Sequence, residues 1–286
     1  MLKEKTFTAN NVVFNYAEGP ESGPPLLFLH GLSACWQAGM SIIPHFISRF
    51  HAYAMDFRGH GKSARKPGHY QVEDYISDTT EFIEKKIDGP LFVFGHSLGG
   101  RVAMSLAATM PNQVRAIIVG ETPLSSRSIA DRTDFSDVLK KWHNLVLSGL
   151  SVDDLAKAIG DMPAAAPSEG EPPRFKDLPG WDQTYLRFTA HYLKQADLEL
   201  LLSLDDRVAT DAYSVEKLFP KIKCPVLFIQ GDPSFGALMT ETDLNAALTA
   251  IKSSSFVKID GVGHDIHLQN AEPVRRAMMY FLESLI

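Results

Sequence analysis

Apolar residues recur along this chain in short unbroken runs that alternate with stripes of helical period. Leu26-Leu27-Phe28-Leu29, Ala52-Tyr53-Ala54-Met55, Leu91-Phe92-Val93-Phe94 and Ala116-Ile117-Ile118-Val119 are such runs. Each is too short for a helix and ends at Gly or a polar residue, which fits a strand buried on both faces. Val12-Val13-Phe14-Asn15-Tyr16 precedes them as an early strand, followed by a Gly/Pro/Ser loop from Gly19 to Pro25. Val72, Tyr75, Ile76, Phe82, Ile83 and Ile87 fall on one face of a 3.6-residue period and predict an amphipathic helix. A further helix starts at Gly100 and is expected to stop at Met110-Pro111, because proline supplies no backbone donor.

The pattern changes between Thr122 and Phe219, where helical stripes appear without a convincing strand. Phe135, Val138, Leu139, Trp142, Leu145 and Val146 form one stripe. Val152, Leu155 and Ile159 form another, behind a candidate N-cap at Ser151. Trp181, Tyr185, Phe188 and Tyr192 make a third, aromatic stripe. The Met162–Pro173 stretch is rich in Pro and Ala and is expected to be a loop. Strand and helix alternate again after Pro225: Val226-Leu227-Phe228-Ile229, then a helix from Leu244 to Ile251, then Phe256-Val257-Lys258-Ile259, then a final helix lined by Val274, Met278, Phe281, Leu282 and Leu285. A βα series interrupted by helices predicts an α/β chain with a mostly parallel, doubly wound sheet. Its core domain would comprise 1–121 and 220–286, and 122–219 would be an inserted helical cap.

Charge and cysteine content narrow the functional classes. The 286 residues carry 28 basic and 34 acidic side chains, a formal net charge of −6. No basic cluster suits nucleic acid or an anionic membrane surface. The start, Met1-Leu2-Lys3-Glu4-Lys5-Thr6, lacks an apolar signal region, and no apolar run reaches the length of a membrane span. Cys35 and Cys224 have no metal-site spacing. These features predict a cytoplasmic protein with reduced thiols, no bound metal and no membrane insertion.

The chemistry concentrates at Gly95-His96-Ser97-Leu98-Gly99, between the strand ending at Phe94 and the helix that follows. Strand, Gly-x-Ser-x-Gly, helix is a nucleophile elbow, whose turn is so tight that its flanks must be nearly free of side chains. Ser97 Oγ would project above the sheet at the positive end of the next helix. A serine needs a base, and the base needs a group to fix its tautomer.

His30-Gly31-Leu32, Asp56-Phe57-Arg58-Gly59-His60-Gly61-Lys62-Ser63, the elbow at Ser97 and Gly261-Val262-Gly263-His264 occur here in that order. Together they resemble the α/β-hydrolase superfamily, in its serine esterase- and lipase-like form with a helical cap. The resemblance implies His264 as the base, with His267 as runner-up, and places a carboxylate just after the strand ending at Ile229-Gln230. Serine stands at the usual acid position of Gly231-Asp232-Pro233-Ser234. Asp232 is therefore the first candidate, Glu121 the alternative on the preceding strand, and Asp265 or Asp243 remain. The N–H groups of Leu32 and Leu98 would bind an oxyanion. His96 is expected to face away from the substrate, His30 and His60 to hydrogen-bond loops, and Asp56 and Arg58 to shape a loop as an ion pair. The implied function is cofactor-free, metal-free hydrolysis of a small to medium carboxylic ester through an acyl-enzyme. A lactonase, thioesterase, carbon–carbon bond hydrolase or perhydrolase could use the same groups. A non-catalytic small-molecule receptor is the alternative from another class. Epoxide hydrolysis and dehalogenation need an aspartate where Ser97 stands.

Overall fold

The computed structural model describes residues 1–125, 133–164, 173–202 and 214–286, without the side chains of 133–136. The apolar runs become β3 (Pro25–Leu29), β4 (His51–Met55), β5 (Leu91–His96), β6 (Val114–Gly120) and β7 (Val226–Gln230). Before them come β1 (Lys3–Ala9) and β2 (Val12–Glu18), and after them β8 (Ser254–Lys258). All eight join one sheet in the order β1-β2-β4-β3-β5-β6-β7-β8. β1 and β2 run antiparallel to their neighbours and the other pairings are parallel. Strand β1 escapes the apolar pattern because most of its side chains are exposed at the sheet edge.

Every residue of β5 is buried, as a central parallel strand requires. Helices cover both faces. One face packs on α1 (Val72–Lys86), α2 (Leu98–Thr109) and α7 (Glu241–Ala250), through Phe82, Val102, Leu106 and Leu244. The other packs on α8 (Ala271–Glu283) and the segment around Phe46, through Val274, Met278 and Leu282. Helix α1 begins on a capping box in which Asp74 accepts from the Gln71 N–H at 2.9 Å. Acidic residues in its first turn and Lys85-Lys86 in its last match the helix dipole. Helix α2 ends at Met110, as the following proline demands.

Between β6 and β7 lie α3 (Thr133–Leu147), α4 (Val152–Asp161), α5 (Gln183–Gln195) and the single turn α6 (Glu199–Leu202). They build a third apolar cluster around Leu139, Trp142, Leu155, Ile159, Trp181 and Leu193. Ser151 caps α4 by accepting from the Asp154 N–H at 3.1 Å. The side chain of Phe135 in the first helical stripe and the interior of the Met162–Pro173 stretch lie outside what the structure describes. Ala196, Leu200 and Val215 pack into the sheet core rather than this third cluster. No helix among the described residues is long and apolar enough to cross a membrane.

The Asp56–Arg58 pair expected from sequence does not form. Arg58 instead forks onto Asp78 of α1, with Nε and Nη2 each 2.6 Å from a carboxylate oxygen, and reaches Asp74 at 3.1 Å. Asp56 accepts from the N–H groups of Trp36 and Lys62 and from the Asn15 amide. The loop after β4 is thus tied to the helix that follows and to β2.

Sheet order reverses between β3 and β5, since β4 lies on one side of β3 and β5 on the other. A crevice opens at the carboxyl ends of strands at such a switch point. His30 and Ser97 leave the sheet there.

Arg58 and Asp78 are both nearly inaccessible. Removing one partner of a buried, hydrogen-bonded ion pair costs about 3–5 kcal/mol. Asp78→Ala is expected to lower the unfolding free energy by about that amount in urea titration.

Candidate active site

Ser97 sits at φ 53°, ψ −115°, a conformation that side-chain-bearing residues rarely adopt. The turn closes because Gly95 and Gly99 lack side chains: a Cβ on Gly95 would overlap the Gly99 carbonyl, and one on Gly99 would overlap that of Leu29. The Ser97 N–H donates to Gly120 O at 3.1 Å, so the elbow is anchored to the end of β6. The next residue along β6 is Glu121.

Glu121 is fully buried and has φ 39°. Its carboxylate accepts from the N–H of Gly231 at 3.0 Å, from Leu238 at 2.7 Å and, at the longer distances of 3.3 and 3.4 Å, from Met239. His264 Nδ1 lies 3.2 Å from Glu121 Oε2. With Nδ1 donating there, Nε2 remains for a hydroxyl. Asp232, the first candidate from sequence, is turned elsewhere. Its carboxylate caps the turn at 233–235 by accepting from the Ser234 N–H at 3.0 Å and hydroxyl at 2.7 Å, and it also faces the Gly261 N–H. These donors hold Asp232 below its ordinary range, the Ser234 hydroxyl being the largest cause. Asp243 accepts from Ser125, and Asp265 follows His264.

Leu32 and Leu98 flank the elbow. A Cβ on Gly31 would stand 3.2 Å from Ser97 Cβ and 3.0 Å from His96 Nδ1, so the strand β3 exit lies against the serine. His30 fixes that exit: its Nε2 accepts the Phe57 N–H at 3.0 Å, so Nδ1 carries the proton donated to Gly31 O at 2.7 Å. His60 Nδ1 similarly faces Arg58 O at 2.9 Å. Both histidines serve loops.

A cavity of about 420 Å³ lies over Ser97 and His264. Leu139, Trp142, Trp181 and Tyr185 form its far wall, and Leu32, Phe235 and Leu238 its sides. A larger hollow of about 710 Å³ opens at the opposite sheet edge, around Pro24, Asp88 and Lys223, remote from these groups. His96 lines the upper cavity, contrary to expectation. Its ring is 4.8 Å from that of His264 and 4.7 Å from that of His267, and its Nε2–H donates to His264 O at 2.8 Å. The residue before the elbow serine therefore grips the histidine loop instead of pointing into the core. His267 is buried against His96 and Phe94, and its Nδ1 has no partner among the described residues.

A family model described as the alpha/beta hydrolase fold matches residues 24–271. The chain belongs to the α/β hydrolase fold family. It is 26% identical, over 99% of both chains, to a protein of Acinetobacter baylyi named (E)-2-((N-methylformamido)methylene)succinate hydrolase. It is 34% identical to a 2-(acetamidomethylene)succinate hydrolase of Mesorhizobium japonicum over 34% of this chain and 35% of that one. Among solved structures, an E-2-(acetamidomethylene)succinate hydrolase superposes with a TM-score of 0.77 at 19% identity, over 99% of this chain and 100% of the other. The relatives named here are hydrolases.

The main-chain donors to Glu121 left no trace in the sequence, because any residue supplies an N–H. Nor did Gln269, whose Oε1 accepts from the Gly263 N–H at 2.6 Å and steadies the histidine loop. Among the described residues no cluster of His, Cys, Asp or Glu could hold a metal.

Burial pushes His30 and His96 down to about 4, and His267 well below its ordinary value. Desolvation is the largest cause in each. Unfolded, these rings take up a proton near pH 6.5, whereas folded they resist it. Their stabilising contribution is complete above about pH 6.5 and is lost as pH falls toward 4. Between pH 7 and pH 5, His30 and His96 should each remove about 2 kcal/mol of unfolding free energy. Urea titrations at the two pH values check this, and equal midpoints would contradict it.

Proposed function

We propose that this hydrolase-family chain is a serine hydrolase that cleaves a carboxylic ester of small to medium size through an acyl-enzyme. The observation that carries the reading is that one cavity is lined by both a serine strained at the elbow and His264, whose Nδ1 lies 3.2 Å from the buried Glu121 carboxylate. In this reading Ser97 Oγ attacks the ester carbonyl while His264 Nε2 takes its proton. Glu121 accepts from Nδ1–H, holds the tautomer and stabilises the imidazolium. The N–H groups of Leu32 and Leu98 bind the oxyanion as the tetrahedral intermediate forms. His264 then gives the proton to the departing alcohol oxygen. In the second half it takes a proton from water, the resulting hydroxide attacks the acyl carbon, and Ser97 leaves with that proton. These steps need only the protein groups, the ester and one water molecule. Segment 122–219 acts as the cap, its aromatic residues enclosing the acyl group and excluding water.

The full-length similarity to the Acinetobacter succinate-derivative hydrolase favours a second reading, in which the same groups cleave such a derivative. The cavity wall supports the ester of an uncharged acid instead, because no Lys or Arg among the described residues lines it to meet two carboxylates.

The test is hydrolysis of p-nitrophenyl butyrate. Ser97→Ala should lower kcat/KM by at least about 10⁴-fold, and Glu121→Gln by about 10³–10⁴-fold. Asp232→Asn should stay within about threefold, since only surface hydrogen bonds are lost. Near-normal rates in Ser97→Ala would overturn the nucleophile. Loss in Asp232→Asn with retention in Glu121→Gln would reverse the acid. Circular dichroism separates a lost acid from a lost fold.

A further inference from the structure

The cavity carries an unbalanced charge. Asp265 stands in its wall directly after His264, and among the described residues no Lys or Arg shares that wall and no ion pair engages Asp265. Its charge acts on the buried His96 ring and on two tyrosine hydroxyls that share the cavity wall. Tyr185 is held well above its ordinary range by burial first, then by the Asp265 charge. Burial, the Cys35 thiol and Asp265 raise Tyr192. The Tyr192 hydroxyl is itself buried and has no partner among the described residues. The Trp181 ring lies 4.8 Å from that of Tyr185 at 74°, edge against face, so the cavity that Asp265 lines also presents aromatic surface.

A negative charge in a partly enclosed site attracts a cation and penalises a carboxylate more strongly than it would in open water. Aromatic faces add attraction for an ammonium group and none for an anion. A hydroxyl with no partner can turn to accept from an ammonium N–H or to donate to an ester oxygen.

We propose that the cavity selects its ester by charge, with Asp265 as the specificity-determining residue: substrates bearing an ammonium nitrogen are preferred, and substrates bearing a carboxylate are rejected. The inference rests on the reading of Ser97 as an ester-cleaving nucleophile and adds the chemical class of the substrate. It separates this chain from the relatives named for succinate derivatives, which carry the opposite charge.

Three thioesters of similar shape test it: butyrylthiocholine, its uncharged carbon isostere 3,3-dimethylbutyl thiobutyrate, and a carboxylate-bearing counterpart, with thiol release as readout. In the wild type, kcat/KM should be at least about tenfold higher for the cationic than for the neutral substrate, and at least about tenfold lower for the anionic one. Asp265→Asn should bring both ratios within about threefold of unity, and Asp265→Glu should keep their order. Ratios on one enzyme divide out any effect on His264 next door. Equal wild-type rates, or ratios unmoved in Asp265→Asn, would overturn the proposal. Binding to Ser97→Ala, followed by the fluorescence of Trp142 and Trp181, separates the two readings. Preference for butyrylcholine over its neutral isostere without turnover in the wild type would sink ester cleavage and keep charge selection. Equal binding would sink charge selection whatever the turnover.

Discussion

The arrangement depends on one buried carboxylate. Glu121 has no contact with solvent, and an isolated charge there would cost far more than the fold could offset. Main-chain donors from Gly231, Leu238 and Met239 surround it, together with the His264 ring. Those donors come from the segment after β7, and the ring comes from the loop after β8. The carboxylate therefore draws separate stretches of chain to the end of β6. Its own backbone sits at positive φ, a strain of about 1–3 kcal/mol that persists only because the surrounding bonds over-determine it. The neighbouring Gly120 carbonyl holds the Ser97 N–H, so strain at Glu121 and strain at the elbow are joined through one peptide.

A second constraint is the neutrality of the surrounding imidazoles. His96 and His267 touch the same cluster as His264, yet burial disfavours their charged forms. His96 still contributes a hydrogen bond, because a neutral ring with its proton on Nε2 can donate to the His264 carbonyl. His30 uses both ring nitrogens in the same neutral state, one as donor and one as acceptor. Packing and hydrogen bonding thus leave three rings as scaffolding around the one whose Nδ1 meets a carboxylate.

Much of this was legible from periodicity and local motif. Parallel strands buried on both faces leave continuous apolar runs, so β3 to β7 could be placed directly, whereas β1 could not, since an exposed edge strand needs no apolar alternation. The elbow was legible because its steric demand falls on glycines at fixed offsets from Ser97. Sequence ranks Asp232 ahead of Glu121, since both follow parallel strands at the carboxyl ends of the sheet and Asp232 lies nearer the position the resemblance implies. The path of the loop after β7 separates them: Asp232 is spent on capping the turn at 233–235, while the same loop aims its N–H groups at Glu121. Arg58 shows the same limit. Its nearest acidic neighbour in sequence is Asp56, but the partner it forks onto is Asp78, a full helix-packing event away.

By itself the amino-acid sequence determined the α/β architecture, the strand–elbow–helix around Ser97 and the position of His264 after the final strand. These follow from hydrophobic period and local sterics, which act over a few residues. Tertiary structure alone decided which carboxylate meets His264, that His96 faces the cavity, and that Asp265 shares its wall with aromatic rings and no described cation. Those outcomes depend on loop paths and main-chain donors, and every residue type carries the same N–H, so side-chain identity along the chain could not record them.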